Sequence, residues 1–164
     1  MTLPATLASF TQSWADYYAS HQALSVTIRF LHLTGIVIGG GTALAGDRQV
    51  LAALSAGPER KAALLPWLHR SHRVVVPSLG LVILTGILMV AADATTFLSS
   101  RLYWTKMCFV ALLLANGGLL VAAESFATRH AGQRGWGRLA AVACASFVLW
   151  LLILHLGVWL TVAM

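Results

Sequence analysis

Four stretches of this chain, about residues 23–46, 73–92, 103–124 and 138–163, are apolar almost throughout. Each is close to the ~20 residues that a helix needs to cross ~30 Å of hydrocarbon. Helices that are hydrophobic all round must be buried on every side or surrounded by lipid. With 59% hydrophobic and only 10% charged residues in a 164-residue chain, too little polar chain remains to cover four of them in water. Globular proteins carry about 45–50% apolar residues. The expected fold is therefore an all-α integral membrane protein, a four-helix transmembrane up-down bundle formed by residues 23–164. Ahead of it, Leu3, Leu7, Phe10, Trp14, Tyr17 and Tyr18 recur at helical spacing. Residues 1–22 thus read as a short amphipathic segment lying in the membrane interface, the alternative being a frayed polar leader.

The borders of the spans carry their own signals. Gly35, Gly39, Gly40 and Gly41 in the first span would weaken a soluble helix, but between membrane helices they let backbones approach closely. Pro77 reads as the first turns of the second span, with a start after Arg73. Tyr103-Trp104 opens the third span with interfacial residue types. Gly132, Gly135 and Gly137 precede the fourth.

A formal net charge of +6 suggests nucleic acid at first sight. The positions of the charges argue otherwise. Arg48, Arg60, Lys61, Arg70, Arg73, Arg129, Arg134 and Arg138 flank the first-to-second and third-to-fourth connections, and only Arg29, Arg101 and Lys106 lie towards the other face. The positive-inside rule then places both connections in the cytoplasm and both termini outside. Cys108 and Cys144 lie in apolar runs without a C-x-x-C pattern and read as small hydrophobes. The first residues lack the basic region of a cleavable signal peptide.

An ionisable group inside a span is costly and marks a functional site by default. His32 lies about nine residues from the outer end of span one, and His155 about eight from the outer end of span four. Equal depth in an up-down bundle, with both rings facing inwards, is what a b-type haem between helices requires. Gly35, Gly39 and Thr42 continue the His32 face and would leave room for a flat macrocycle, while span two offers Gly86 at comparable depth. Arg29 and Lys106 enter from the same side, where haem propionates would want cations. In the alternative, the histidines only hydrogen-bond helix to helix.

His69 and His72 share one helical face at the start of span two, as a second metal or haem site would require. His130 could approach from the other cytoplasmic connection. Asn116 could meet a quinone carbonyl or pair with a neighbouring helix, and Glu124 reads as a paired or snorkelled carboxylate near Arg129. Asp47-Arg48 and Asp93 read as span ends. No Walker motif, nucleophile elbow or H-E-x-x-H is present.

At His32-Leu33-Thr34-Gly35 with Gly39-Gly40, and again at Tyr103-Trp104-Thr105-Lys106, the chain resembles small bacterial membrane proteins akin to the copper resistance protein D domain. That resemblance implies a four-helix unit in a bacterial inner membrane with intramembrane histidine handling copper or haem, and His32 is the position that carries over. The chain departs from a copper pathway in lacking Met-rich or Cys-rich ligand motifs. In arrangement it also resembles four-helix b-type cytochromes. The expectation is one haem b, or two, on His32 and His155, exchanging electrons with quinone or a periplasmic partner. The rivals are a copper or small-solute transport protein, and a non-catalytic subunit or assembly factor that could form homo-oligomers.

Overall fold

A computed structural model describes residues 3–129 and 133–163, and every regular element among them is helical. Helix α1 (Leu3–Ser20) leads into α2 (Gln22–Gly35), a π-helical turn (Ile36–Gly40) and α3 (Gly41–Ala52). Helix α4 (Pro58–Ala92) and the short α5 (Ala94–Ser99) follow, then α6 (Arg101–Arg129) and α7 (Gln133–Ala163). Four helical stretches among the described residues are long and apolar enough to cross a membrane: Gln22–Ala52, Pro58–Ala92, Arg101–Thr128 and Gly135–Val162. The chain is an all-α, multi-pass membrane bundle. Large apolar side chains such as Phe30, Val37, Val76, Ile87, Leu119 and Val162 stand exposed on its outer surface, where lipid would cover them.

The spans are longer than their apolar runs. Helix α4 begins not after Arg73 but at Pro58, where proline suits the first turn because its missing N–H has no partner there anyway. Pro77 is therefore an interior residue, as is Pro66. The extension forms because Leu64 and Leu68 continue a buried stripe at helical spacing into the basic segment. Its 35 residues span roughly 50 Å, so one end projects well beyond a ~30 Å hydrocarbon layer. The first span likewise runs on to Ala52, which makes Asp47 an interior residue rather than a span end. Asp93 does end α4, and its carboxylate accepts from Thr96 N at 3.3 Å to cap α5.

The π turn divides the work of the first span. A wider turn inserts one residue into the helical phase, so the segments on either side present different faces. Helix α2 packs chiefly on α4, whereas α3 packs chiefly on α7. Glycine makes both approaches close. A Cβ on Gly39 would stand 2.6 Å from Ser78 Cβ, one on Gly35 2.7 Å from Val82 Cγ2, and one on Gly40 3.0 Å from the Trp150 ring.

The most extensive helix pair is α6 with α7. The main buried core lies at the arginine-rich end, where Val50, Leu64, Leu68, Trp136, Leu139 and Ala143 meet. At the other end α1 rests on α4 and α5. Trp14 Nε1 donates to the Leu88 carbonyl at 2.9 Å, and the buried Tyr18 takes an Arg29 Nε hydrogen bond at 3.4 Å.

Candidate functional site

His32 lies on the face of α2 that carries Ile28 and Gly35, both buried, and it points at α4. Its Nδ1 sits 2.9 Å from Thr85 Oγ1. Thr85, only 3% exposed, donates its own hydroxyl proton to the Leu81 carbonyl at 2.6 Å. The hydroxyl is therefore the acceptor for Nδ1–H, and this fixes the imidazole as the tautomer whose Nε2 carries a lone pair. The ring also hydrogen-bonds to the Val82 backbone, and Thr85 is its side-chain partner among the described residues. Gly86 lies beside the ring, where an added Cβ would come within 3.4 Å of His32 Cε1. A side chain here would crowd the imidazole.

Two more spans reach this end of the bundle. Lys106, half-buried on α6, acts electrostatically on His32. Its ammonium passes α7 at Gly157, where an added Cβ would stand 3.6 Å from Nζ. The niche thus draws His32, Thr85 with Gly86, Lys106 and Gly157 from four different spans. Arg29 does not join it; this exposed residue turns to Tyr18 on α1.

His155 departs from expectation. The buried residues Leu139, Ala143, Ser146 and Trp150 form one stripe on α7, and His155 lies roughly 150° away from it around the helix. It is exposed, on the face that also carries Cys144, Val148 and Trp159, and its ring packs edge-on against Trp159 at 6.0 Å. The depth match placed two histidines at one level, but depth does not fix rotation. The inward-facing His32–His155 pair is therefore not formed within one chain. Nor does Gly35 leave space for a macrocycle, because Val82 and the Ser78 carbonyl of α4 fill it.

At the arginine-rich end, His72 Nε2 meets both carboxylate oxygens of Glu124, at 3.0 and 3.1 Å. The pair ties α4 to α6 and engages the ring nitrogen that a haem iron would take, so His72 does not read as a second haem ligand. His69 is exposed and touches His72 only edge-on, with ring centroids 6.4 Å apart. His130 lies outside the described residues. Asn116 Nδ2 donates to the Val142 carbonyl at 3.1 Å and so links α6 to α7.

Two residues, Thr85 and Ser146, were not singled out in the sequence. For Thr85, its position beside Gly86, opposite His32, was the available signal. The Ser146 hydroxyl hydrogen-bonds to Asp47, which reads from the sequence as a span end but is 2% exposed. Asp47 Oδ2 is a buried oxygen without a partner among the described residues. Cys108 and Cys144 are both exposed on the outer surface rather than buried. Among the described residues no three His, Cys, Asp or Glu side chains gather as a metal site would require.

Fold and site define a multi-pass membrane protein whose His32 is held by Thr85 near one end of the bundle and whose His72 is held by Glu124 near the other. Comparison with known proteins finds no matching family model, no matching characterised sequence and no matching solved structure.

Proposed function

We propose that this chain is a membrane b-type haem protein whose iron ligand is His32. The observation that carries the reading is the Leu81–Thr85–His32 relay, which holds Nδ1 inside a span, as a ligand imidazole bound through Nε2 would need. A metal-binding histidine is commonly held through its other ring nitrogen in this way. The donor count favours haem over copper. A porphyrin supplies four equatorial nitrogens, so one imidazole suffices. Copper sites draw several donors from the protein, and none gathers around His32 among the described residues.

Haem iron would supply one-electron chemistry, and the protein's part is orientation and charge. Thr85 fixes the ring and its tautomer. Gly86 keeps the space beside the imidazole clear, and Lys106 offers a propionate its ammonium. Quinone or a periplasmic redox protein would be the electron partner. The Lys and Arg distribution supports an orientation with both termini outside, which in a bacterial inner membrane would be the periplasm.

A second reading, a non-catalytic subunit or assembly factor, draws on the same bonds. His32–Thr85, His72–Glu124 and Asn116–Val142 each link two spans and need no cofactor to do so. Titrating haemin into the purified full-length chain separates the two. The haem reading expects one haem per chain, loss of that binding in His32→Ala, and roughly 10- to 100-fold weaker binding in Thr85→Val. His155→Ala should bind as the wild type does. Haemin uptake no greater than that of empty detergent micelles would leave the structural reading standing.

A further inference from the structure

At the arginine-rich end, α3 and α4 enclose a groove of about 620 Å³ that no part of the haem reading uses. Arg48 and Gln49 line it from α3, and Arg60 and Trp67 from α4. Ala52 and Ala63 are among the small apolar side chains between them. Trp67 closes one end, its ring resting on α3 where an added Cβ on Gly46 would meet it at 3.5 Å. Both arginines are exposed, and neither has a carboxylate or hydrogen-bond partner among the described residues. The groove's lining contains no acidic side chain.

We propose that this groove binds the headgroup of an acidic phospholipid. Its chemistry is amphipathic. Two guanidiniums offer fork-shaped donor sets that match phosphate oxygens. The alanines and the Trp67 ring offer an apolar seat for the glycerol backbone and the first carbons of the acyl chains. Basic pockets between membrane helices at the cytoplasmic surface are suited to anionic headgroups, and a tryptophan at the edge is at home in the same interface. A free phosphate would use the arginines but leave the apolar seat empty. A zwitterionic lipid would fill the seat but bring its own cation against the arginines. Only an anionic lipid satisfies both halves. The inference rests on the chain lying in a bilayer and is independent of haem.

The test measures the thermal unfolding of the full-length chain in neutral detergent while lipid is added. Phosphatidylglycerol should raise the melting temperature saturably, and phosphatidylcholine or inorganic phosphate at equal concentration should not. The Arg48→Gln/Arg60→Gln double variant should bind phosphatidylglycerol roughly thirtyfold more weakly. Ala63→Phe, which keeps both arginines and fills the seat, should also weaken it. Arg70→Gln/Arg73→Gln removes the same charge outside the groove and should bind as the wild type does. An equal shift with phosphatidylcholine or with inorganic phosphate would overturn the proposal. So would an equal loss in the Arg70/Arg73 variant, because the attraction would then belong to the basic surface as a whole.

Discussion

Glu124 is only 6% exposed, and the carboxylate is tolerable there because His72 meets both of its oxygens. Removing one partner of such a pair costs far more than removing both, since it strands the other without its bond. His72→Ala should therefore destabilise the chain by about 1–3 kcal/mol in reversible unfolding, the cost of a buried acceptor left unpaired. The His72→Ala/Glu124→Leu double variant should recover most of that loss, and neither change should alter haem content. A destabilisation that simply added across the two sites would show that the pair is not coupled. Asp47 sits deeper, with the Ser146 hydroxyl as its partner. Asp47→Asn keeps an acceptor for Ser146 and removes a charge that is costly to bury, so it should unfold no more easily than the wild type. A loss of more than about 2 kcal/mol would mean that Asp47 has a partner beyond Ser146. The sequence exposed the cost of these groups but not their partners. Glu124 was read beside Arg129, its sequence neighbour, whereas helical folding brought it to His72 on another span.

The first span works as an element because its glycines lie where other helices come closest. A methyl at Gly39 would overlap Ser78, whereas Gly41, two residues on, has nothing within 4 Å of an added Cβ. Gly39→Ala should thus lose about 1–3 kcal/mol as α4 is pushed away. Gly41→Ala should be neutral or stabilise by about 0.5–1 kcal/mol through helix propensity. Equal effects at the two positions would show that close helix packing is not what these glycines serve. Element boundaries were the least legible part of the sequence. Hydropathy marks where lipid can cover a helix, not where the helix stops. The basic segment before Pro77 was read as connection because its charges hid the Leu64–Leu68 stripe. The π turn left no pattern beyond the glycine cluster.

The class and span count of the whole molecule were legible because four long apolar runs admit few other solutions. The candidate site was legible only in part. His32 could be found by depth and residue type, but the outward rotation of His155 depends on which stripe of α7 meets α3 and α6. The charge asymmetry makes its own prediction at this scale. A reporter active only outside the cytoplasm should give signal when fused after Met164 and none when fused after Gly57. The reverse pattern would invert the molecule and put the His32 niche towards the cytoplasm. His32 as an iron ligand is tested by the haem absorption of His32→Gly purified with and without added imidazole. The wild type should show a Soret band, the variant should lose it, and imidazole entering the vacated space should restore it. A colourless wild type, or a variant whose band matches the wild type without imidazole, would show that His32 holds no haem iron.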